Sequence, residues 1–141
     1  MDESETHSKV TVFVADDSVP VRDRLVALLN GMSQLEVVGQ AGGVAETVAQ
    51  VRIARPEIVI LDIRLSDGSG LDVLLALQRD QPHPKVIMLT NYPFDQYRRK
   101  CLEAGASRFF DKSTEFDMIP QAIAQLAAST ARGPGGSSGQ A

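Results

Sequence analysis

Residues 57–74 read EIVILDIRLSDGSGLDVL, and the order of residue types in that stretch decides the fold. Ile58, Val59, Ile60 and Leu61 follow one another without a polar side chain, which suits a strand buried on both faces rather than one with a wet side. The run stops at Asp62. Ser66, Asp67, Gly68 and Ser69 supply turn chemistry, and Leu71–Leu77 resumes at helical spacing before Gln81-Pro82. A buried strand, a short polar loop and a helix make half of a parallel crossover unit.

The same unit recurs on either side. Strands are expected at Val10–Ala15, Leu35–Gln40, Glu57–Leu61, Val86–Thr90 and Ser107–Phe110, all rich in Val, Ile, Leu or Phe. Between them Val21, Leu25, Leu28 and Leu29 recur as one helical face, with Pro20 in the first turn and Asn30-Gly31 as a stop. Val44, Val48 and Val51 mark a second helix ending before Pro56, Leu71–Leu77 a third, and Phe94–Ala104 a fourth ended by Gly105. The last is expected from about Thr114, with Asp117 as its capping acid, through Ile119, Ile123 and Leu126. Five βα units in strict alternation imply an α/β, doubly wound parallel sheet with helices on both faces. Residues 1–8 and 130–141, the latter ending GPGGSSGQA, read as disordered tails around a folded unit at 9–129.

Composition narrows the function. Fourteen Lys+Arg against eighteen Asp+Glu give 141 residues a net charge of −4, without the global basicity of a nonspecific nucleic-acid binder. The one cysteine, Cys101, forms neither an intrachain disulfide nor a thiolate zinc site, which fits a reducing compartment, and the cytoplasm is the expected location. Met1–Ser8 is acidic, unlike a secretory signal, and no apolar stretch reaches the roughly 18–20 residues that span a bilayer. No membrane association is expected.

In a parallel sheet of this kind the working site lies beyond the carboxyl ends of the strands. Asp16 and Asp17 follow the first strand, Asp62 the third, Thr90 ends the fourth and Lys112 lies just past the fifth. Three converging carboxylates repel one another, and burial makes that worse, so a hard divalent cation, Mg²⁺ or Mn²⁺, is expected among Asp16, Asp17, Asp62 and the backbone carbonyl of Arg64. A lysine and a hydroxyl beside the cluster suit phosphoryl oxygens, which makes Asp62 the candidate nucleophile and Thr90 and Lys112 its catalytic helpers.

VFVADDS at 12–18, IVILDIRLSDGSGLDVL at 58–74, VIMLTN at 86–91 and GASRFFDKS at 105–113, in this order, resemble the receiver domain of two-component response regulators, and LDIRLSDGSGLDVL resembles receivers of the LuxR/FixJ type. The resemblance implies a flavodoxin-like sheet in the order 2-1-3-4-5. It also implies Mg²⁺ binding by Asp16 and Asp17, phosphorylation of Asp62 by a sensor histidine kinase or phosphotransfer protein, and phosphoryl contacts from Thr90 and Lys112. Phe109 would be the switch aromatic working with Thr90. Such a chain is a signalling phosphoacceptor, not a turnover enzyme, although its own residues assist phosphorylation and dephosphorylation. It would act on an unknown downstream protein or through a phosphorylation-dependent homodimer. No direct DNA binding is expected, because helix-turn-helix output domains usually follow such receivers and none follows here.

Some residues depart from the pattern. Ser113 stands where many receivers have proline, Asn91 where a very small residue is common, and the long side chains of Arg64 and Tyr92 flank the acceptor. Other readings are a phosphate sink, a constitutive interaction module, the receiver part of a longer transcriptional regulator, or a metal-dependent phosphohydrolase. The phosphohydrolase would want an acid where Arg64 stands, and nucleotide binding lacks a glycine-rich loop at ADDSVP.

Overall fold

Strand β3 (Ile58–Leu61) carries no polar side chain because both of its faces are covered. Ile58 and Ile60 join one core and Val59 and Leu61 another, as the two-residue period of a strand requires. The computed structural model describes residues 9–127. In it β3 is central to a five-stranded parallel sheet with β1 (Val10–Ala15), β2 (Leu35–Ala41), β4 (Lys85–Thr90) and β5 (Arg108–Asp111), in the order β2-β1-β3-β4-β5. The expected fold class holds.

Helices α1 (Val19–Asn30), α2 (Val44–Ala54), α3 (Gly70–Gln78) and α4 (Asp95–Glu103) precede α5, helical over residues 119–127. Leu25 and Leu29 of α1 and Ile119, Ile123 and Leu126 of α5 pack on one face of the sheet. Val51 of α2, Val73, Leu74 and Leu77 of α3 and Cys101 of α4 pack on the other. Right-handed crossovers distribute helices in this way. Ser18 and Ser69 cap α1 and α3, their hydroxyls accepting the amides of Val21 and Leu71. Among the described residues no helix is long and apolar enough to cross a membrane.

Two features depart from the expected elements. The last helix begins at residue 119 instead of near Thr114, because the carbonyl of Asp111 accepts the amides of both Thr114 and Glu115, and a 3₁₀ turn at Phe116–Met118 follows. Asp117 therefore lies inside that turn and caps nothing. Phe116 is buried there, with the Arg24 guanidinium 3.9 Å above its ring. Between β3 and α3 a two-rung antiparallel ribbon pairs Arg64–Leu65 with Gly68–Ser69, too short to leave a periodic signal. Strand edges shift by a residue or two, as at Glu57, whose amide bonds to Thr11 before β3 begins. The expected tails, residues 1–8 and 130–141, lie outside the described residues.

The core assignment is tested by contrast. Ile60 is 1% exposed and Ile53, on the outer face of α2, is 83% exposed. Ile60→Ala is expected to cost about 3 kcal/mol in reversible urea unfolding, whereas Ile53→Ala should stay within about 0.5 kcal/mol of the wild type.

Candidate functional site

The acids and the lysine meet at the carboxyl ends of β1, β3 and β5. Pairing of β1 with β3 carries the chain past both strands in register, and the Asp62 amide donates to the Ala15 carbonyl at 3.0 Å. Asp16 is buried; its Oδ1 takes the Ser18 amide at 2.9 Å, a local turn that starts α1 and aims the other oxygen into the pocket. Asp17 is exposed beside it. A carboxylate oxygen from each of Asp16, Asp17 and Asp62 lies within 4.8 Å of the other two.

Lys112 reaches the same point from the far side of β4. Its amide donates to the Thr90 carbonyl at 2.8 Å, fixing the start of its stem. Its ammonium bridges Asp16 Oδ2 at 2.6 Å and Asp62 Oδ2 at 2.9 Å. This revises the expectation of three acids repelling one another unaided, since two of them already share a cation. Formal charges of −3 and +1 leave −2, all the donors are oxygen, and one acid remains open to solvent, so the residues fit a hard divalent cation. The main chain of Arg64, the fourth expected contributor, sits beside Asp62, whose Oδ1 accepts its amide at 3.4 Å.

Burial raises the Asp62 carboxyl above its ordinary 3.8; the Lys112 ammonium opposes this and the charge of Asp16 adds to it. Burial alone would lower Lys112, but hydrogen bonds to Asp16 and Asp62 outweigh it and hold the ammonium above 10.5. Thr90 is fully buried, its Oγ1 accepting the Tyr92 amide at 3.0 Å, while its own proton meets no acceptor among the described residues. Phe109 and Phe110 point to opposite faces. The Phe109 ring is buried, with the Arg98 guanidinium 4.8 Å over it and Arg98 Nη1 donating to the Phe109 carbonyl at 3.3 Å. After β5, the Asp111 carboxylate accepts the amide and hydroxyl of Ser113 at 2.9 and 2.7 Å, closing the turn where proline is absent. Those bonds, the hydroxyl's first, hold the Asp111 carboxyl below its usual range.

With this geometry in place, the family model of the response regulator receiver domain matches residues 12–124. The chain belongs to that family. It is a receiver domain of two-component signalling, a family in which Mg²⁺ is generally held at such an acidic site and histidine kinases or phosphotransfer proteins are the partners. Over 119 residues it is 38% identical to the DNA-binding transcriptional activator DevR/DosR of Mycobacterium tuberculosis, covering 84% of this chain and 55% of that protein. The response regulator VraR of Staphylococcus aureus is 28% identical over 81% of this chain and 54% of its own. The chain thus spans about half the length of these curated relatives. The solved receiver domain of NarL from M. tuberculosis superposes with a TM-score of 0.80 at 25% identity, over 86% of this chain and 98% of that one. A LuxR-family two-component response regulator from Aurantimonas superposes at 0.79 with 26% identity, over 86% and 87%.

Three site features have no signal in the sequence. Arg22 Nη1 donates to the Asp16 carbonyl at 2.7 Å, behind the acid pair. Arg64 donates to the Tyr92 hydroxyl at 2.7 Å with its guanidinium 5.1 Å from that ring, joining the loops after β3 and β4. A shallow cavity of about 330 Å³ opens beside them, lined by Ile63, Arg64, Gly68, Ser69, Tyr92 and Tyr97. The Arg64–Tyr92 bond crosses between loops 28 residues apart, and the Arg22 bond runs from a helix side chain back to a main-chain carbonyl, so neither leaves a periodic pattern.

The raised Asp62 has a signed consequence. The folded receiver binds that proton more tightly than the unfolded chain does, so ionised Asp62 costs stability at neutral pH, and the cost fades as pH falls through the raised value toward 3.8. Without divalent cations Asp62→Asn should melt above wild type at pH 7, and the gap should narrow steadily toward pH 4. A gap that is constant or widens on acidification contradicts the assignment. Lys112 acts in the same direction at higher pH, its stabilising share being fully present below 10.5 and lost as pH rises through its elevated value.

Proposed function

We propose that Asp62 is the phosphoacceptor of this receiver, that Asp16, Asp17, Asp62 and the Arg64 carbonyl hold Mg²⁺ or Mn²⁺, and that Lys112 and Thr90 contact the phosphoryl group. The observation that carries the reading is the Lys112 ammonium held between Asp16 and Asp62 at the strand ends. A carboxylate oxygen of Asp62 forms a bond to phosphorus while the P–N bond to the donor histidine breaks, and the imidazole leaves and is reprotonated from solvent. Hydrolysis reverses the change at Asp62: a water oxygen attacks phosphorus, the P–O bond to Asp62 breaks, and inorganic phosphate departs. The divalent cation, when bound, neutralises charge on the transferring oxygens. The protein's own part is to present Asp62, to offer the Lys112 ammonium without reorganisation, and to bring up the free Thr90 proton.

A phosphoryl group adds about two negative charges beside these residues. Lys112 then has a stronger partner, and a Thr90 hydroxyl turned toward the phosphoryl group gives up the Tyr92 amide. The space it leaves borders the Phe109 ring, which makes Thr90 and Phe109 the switch pair and the surface of α4, β5 and α5 its output. Residues 9–129 form the receiver unit, with 1–8 and 130–141 outside it, and the readout is a protein partner or a second copy of the chain rather than DNA held by the receiver itself. DevR/DosR is a DNA-binding activator about twice as long as the matched region, which favours a second reading in which this unit governs the output of a longer regulator. Arg64 and Tyr92, joined to each other beside the acceptor, are the residues through which the rate of dephosphorylation would be set apart from that of other receivers.

Acetyl phosphate with Mg²⁺ should add one phosphoryl group to the intact mass of wild type and none to Asp62→Asn; equal labelling of the variant refutes the acceptor. Mg²⁺ at ten times its Kd should stabilise wild type by about 1.4 kcal/mol, and Asp17→Asn should abolish that gain. By NMR, beryllofluoride added to the Mg²⁺ form should shift amides from Thr90 through α4 to Phe109, and Thr90→Ala should confine the shifts to the pocket. Shifts confined to Asp62 and Lys112 in wild type would reduce the domain to a phosphate carrier.

A further inference from the structure

The loop between β3 and α3 is anchored to a helix it does not belong to. Helix α2 starts from Gly43, which occupies the cap position and has no side chain to receive the first amides. Asp67 supplies the acceptor instead: Oδ1 takes the Val44 amide and Oδ2 lies 3.5 Å from the Ala45 amide. Those bonds, Val44's first, hold the Asp67 carboxyl below its usual range. Alongside, the Ser66 amide donates to the Gly42 carbonyl at 2.9 Å. A Cβ on Gly43 would lie 2.9 Å from both Asp67 Oδ1 and Ser66 Oγ, so the bare glycine gives the loop room to seat.

The other side of the Gly42-Gly43 corner faces the acid pair. A Cβ on Gly42 would stand 3.6 Å from the Asp16 carbonyl oxygen and 3.7 Å from Asp17 Cα, and Arg22 ties that carbonyl to Gln40 of β2 through bonds of 2.7 and 3.2 Å. The segments carrying Asp16 and Asp17, the Gly42-Gly43 corner and the loop carrying Asp62 and Arg64 are thus one hydrogen-bonded arch. At its base the Gly70 amide donates to the Ile63 carbonyl at 2.6 Å. At its tip Ser66, Asp67 and Gly68 are exposed, and burial does nothing to hold them.

We infer that Asp67 is a positioning residue for the cation site: by clamping the loop tip to the first turn of α2 it keeps the Arg64 main chain in register with Asp16, Asp17 and Asp62, and so sets the affinity for Mg²⁺. The inference rests on the reading of the pocket given above. A loop released from the clamp must be ordered when the cation binds, and that ordering subtracts from affinity. Fixing the backbone of one released residue costs about 5- to 30-fold in affinity.

Calorimetric titration of the full chain with Mg²⁺ separates the roles. Asp67→Asn keeps an acceptor oxygen and should bind within about threefold of wild type, while Asp67→Ala should bind about tenfold more weakly or worse, the cost of ordering the released loop. Gly43→Ser combined with Asp67→Ala gives α2 a cap of its own on extended backbone, which should return the melting temperature toward wild type and leave Mg²⁺ affinity low. Gly43→Ser with Asp67 retained, in which the same Cβ crowds Ser66 Oγ, should bind Mg²⁺ more tightly than the double variant; equal affinities of the two charge the loss to crowding at residue 43 and overturn the inference. The double variant decides the matter even if Asp67→Ala alone does not fold. Recovery of affinity together with stability, or wild-type affinity in Asp67→Ala, makes Asp67 a helix cap only and overturns the inference. If wild type shows no Mg²⁺ binding that Asp17→Asn removes, the reading of the pocket fails first and the inference falls with it.

Discussion

The Lys112 ammonium between Asp16 and Asp62 constrains the rest of the molecule. Its two ion pairs, 2.6 and 2.9 Å long, are almost entirely removed from solvent. Burying such charges costs several kcal/mol per ion before their attraction repays it. A fold maximising stability alone would fill that space with apolar side chains, so the arrangement points to chemistry at the site. Meeting it demands that β1 and β3 be neighbours with their ends level, and that β5 lie one strand beyond β3 with β4 between. The Thr90 carbonyl then starts the Lys112 stem at the right height.

What could be read beforehand follows from how far each feature depends on local periodicity. The run Ile58–Leu61 has only one comfortable environment, and the strand ends follow from the alternation of elements, so Asp16, Asp62, Thr90 and Lys112 were legible together. The start of the last helix was not, because Asp111 diverts the chain through its carbonyl and Phe116 is held by Arg24 from another element. The bonds from Arg64 to Tyr92 and from Asp67 to Val44 cross between loops, and no spacing rule connects residues 28 and 23 positions apart. Lys112 itself was readable as a contact for phosphate. That it pairs with two acids before any phosphate arrives is a three-dimensional fact, and it changes the expected electrostatics from bare repulsion to partial neutralisation.

The basic run Arg98-Arg99-Lys100 divides its labour in a way composition cannot reveal. Arg98 is half-buried and turns its charge inward onto the ring and carbonyl of Phe109, while Arg99 and Lys100 remain exposed. An arginine over an aromatic face gains roughly 0.5–2 kcal/mol depending on its hydration. Helix α4 is therefore fastened to β5 by a polar clamp as well as by Cys101 in the core. The Phe109 ring and α4 are thereby joined through a single side chain, Arg98.

The pocket draws on both ends of the described chain, since Asp16 and Lys112 are 96 residues apart. A ribosome that has released only the first four strands has made a polypeptide with the acids but without the ammonium, and a chain that has lost β5 to proteolysis is in the same condition. Parallel pairing of distant segments is also slow to form, because loop closure must precede the contacts that reward it. The bridge between the acids thus arrives with the last strand, so a nascent, nicked or half-folded copy carries Asp16 and Asp62 without the ammonium that joins them.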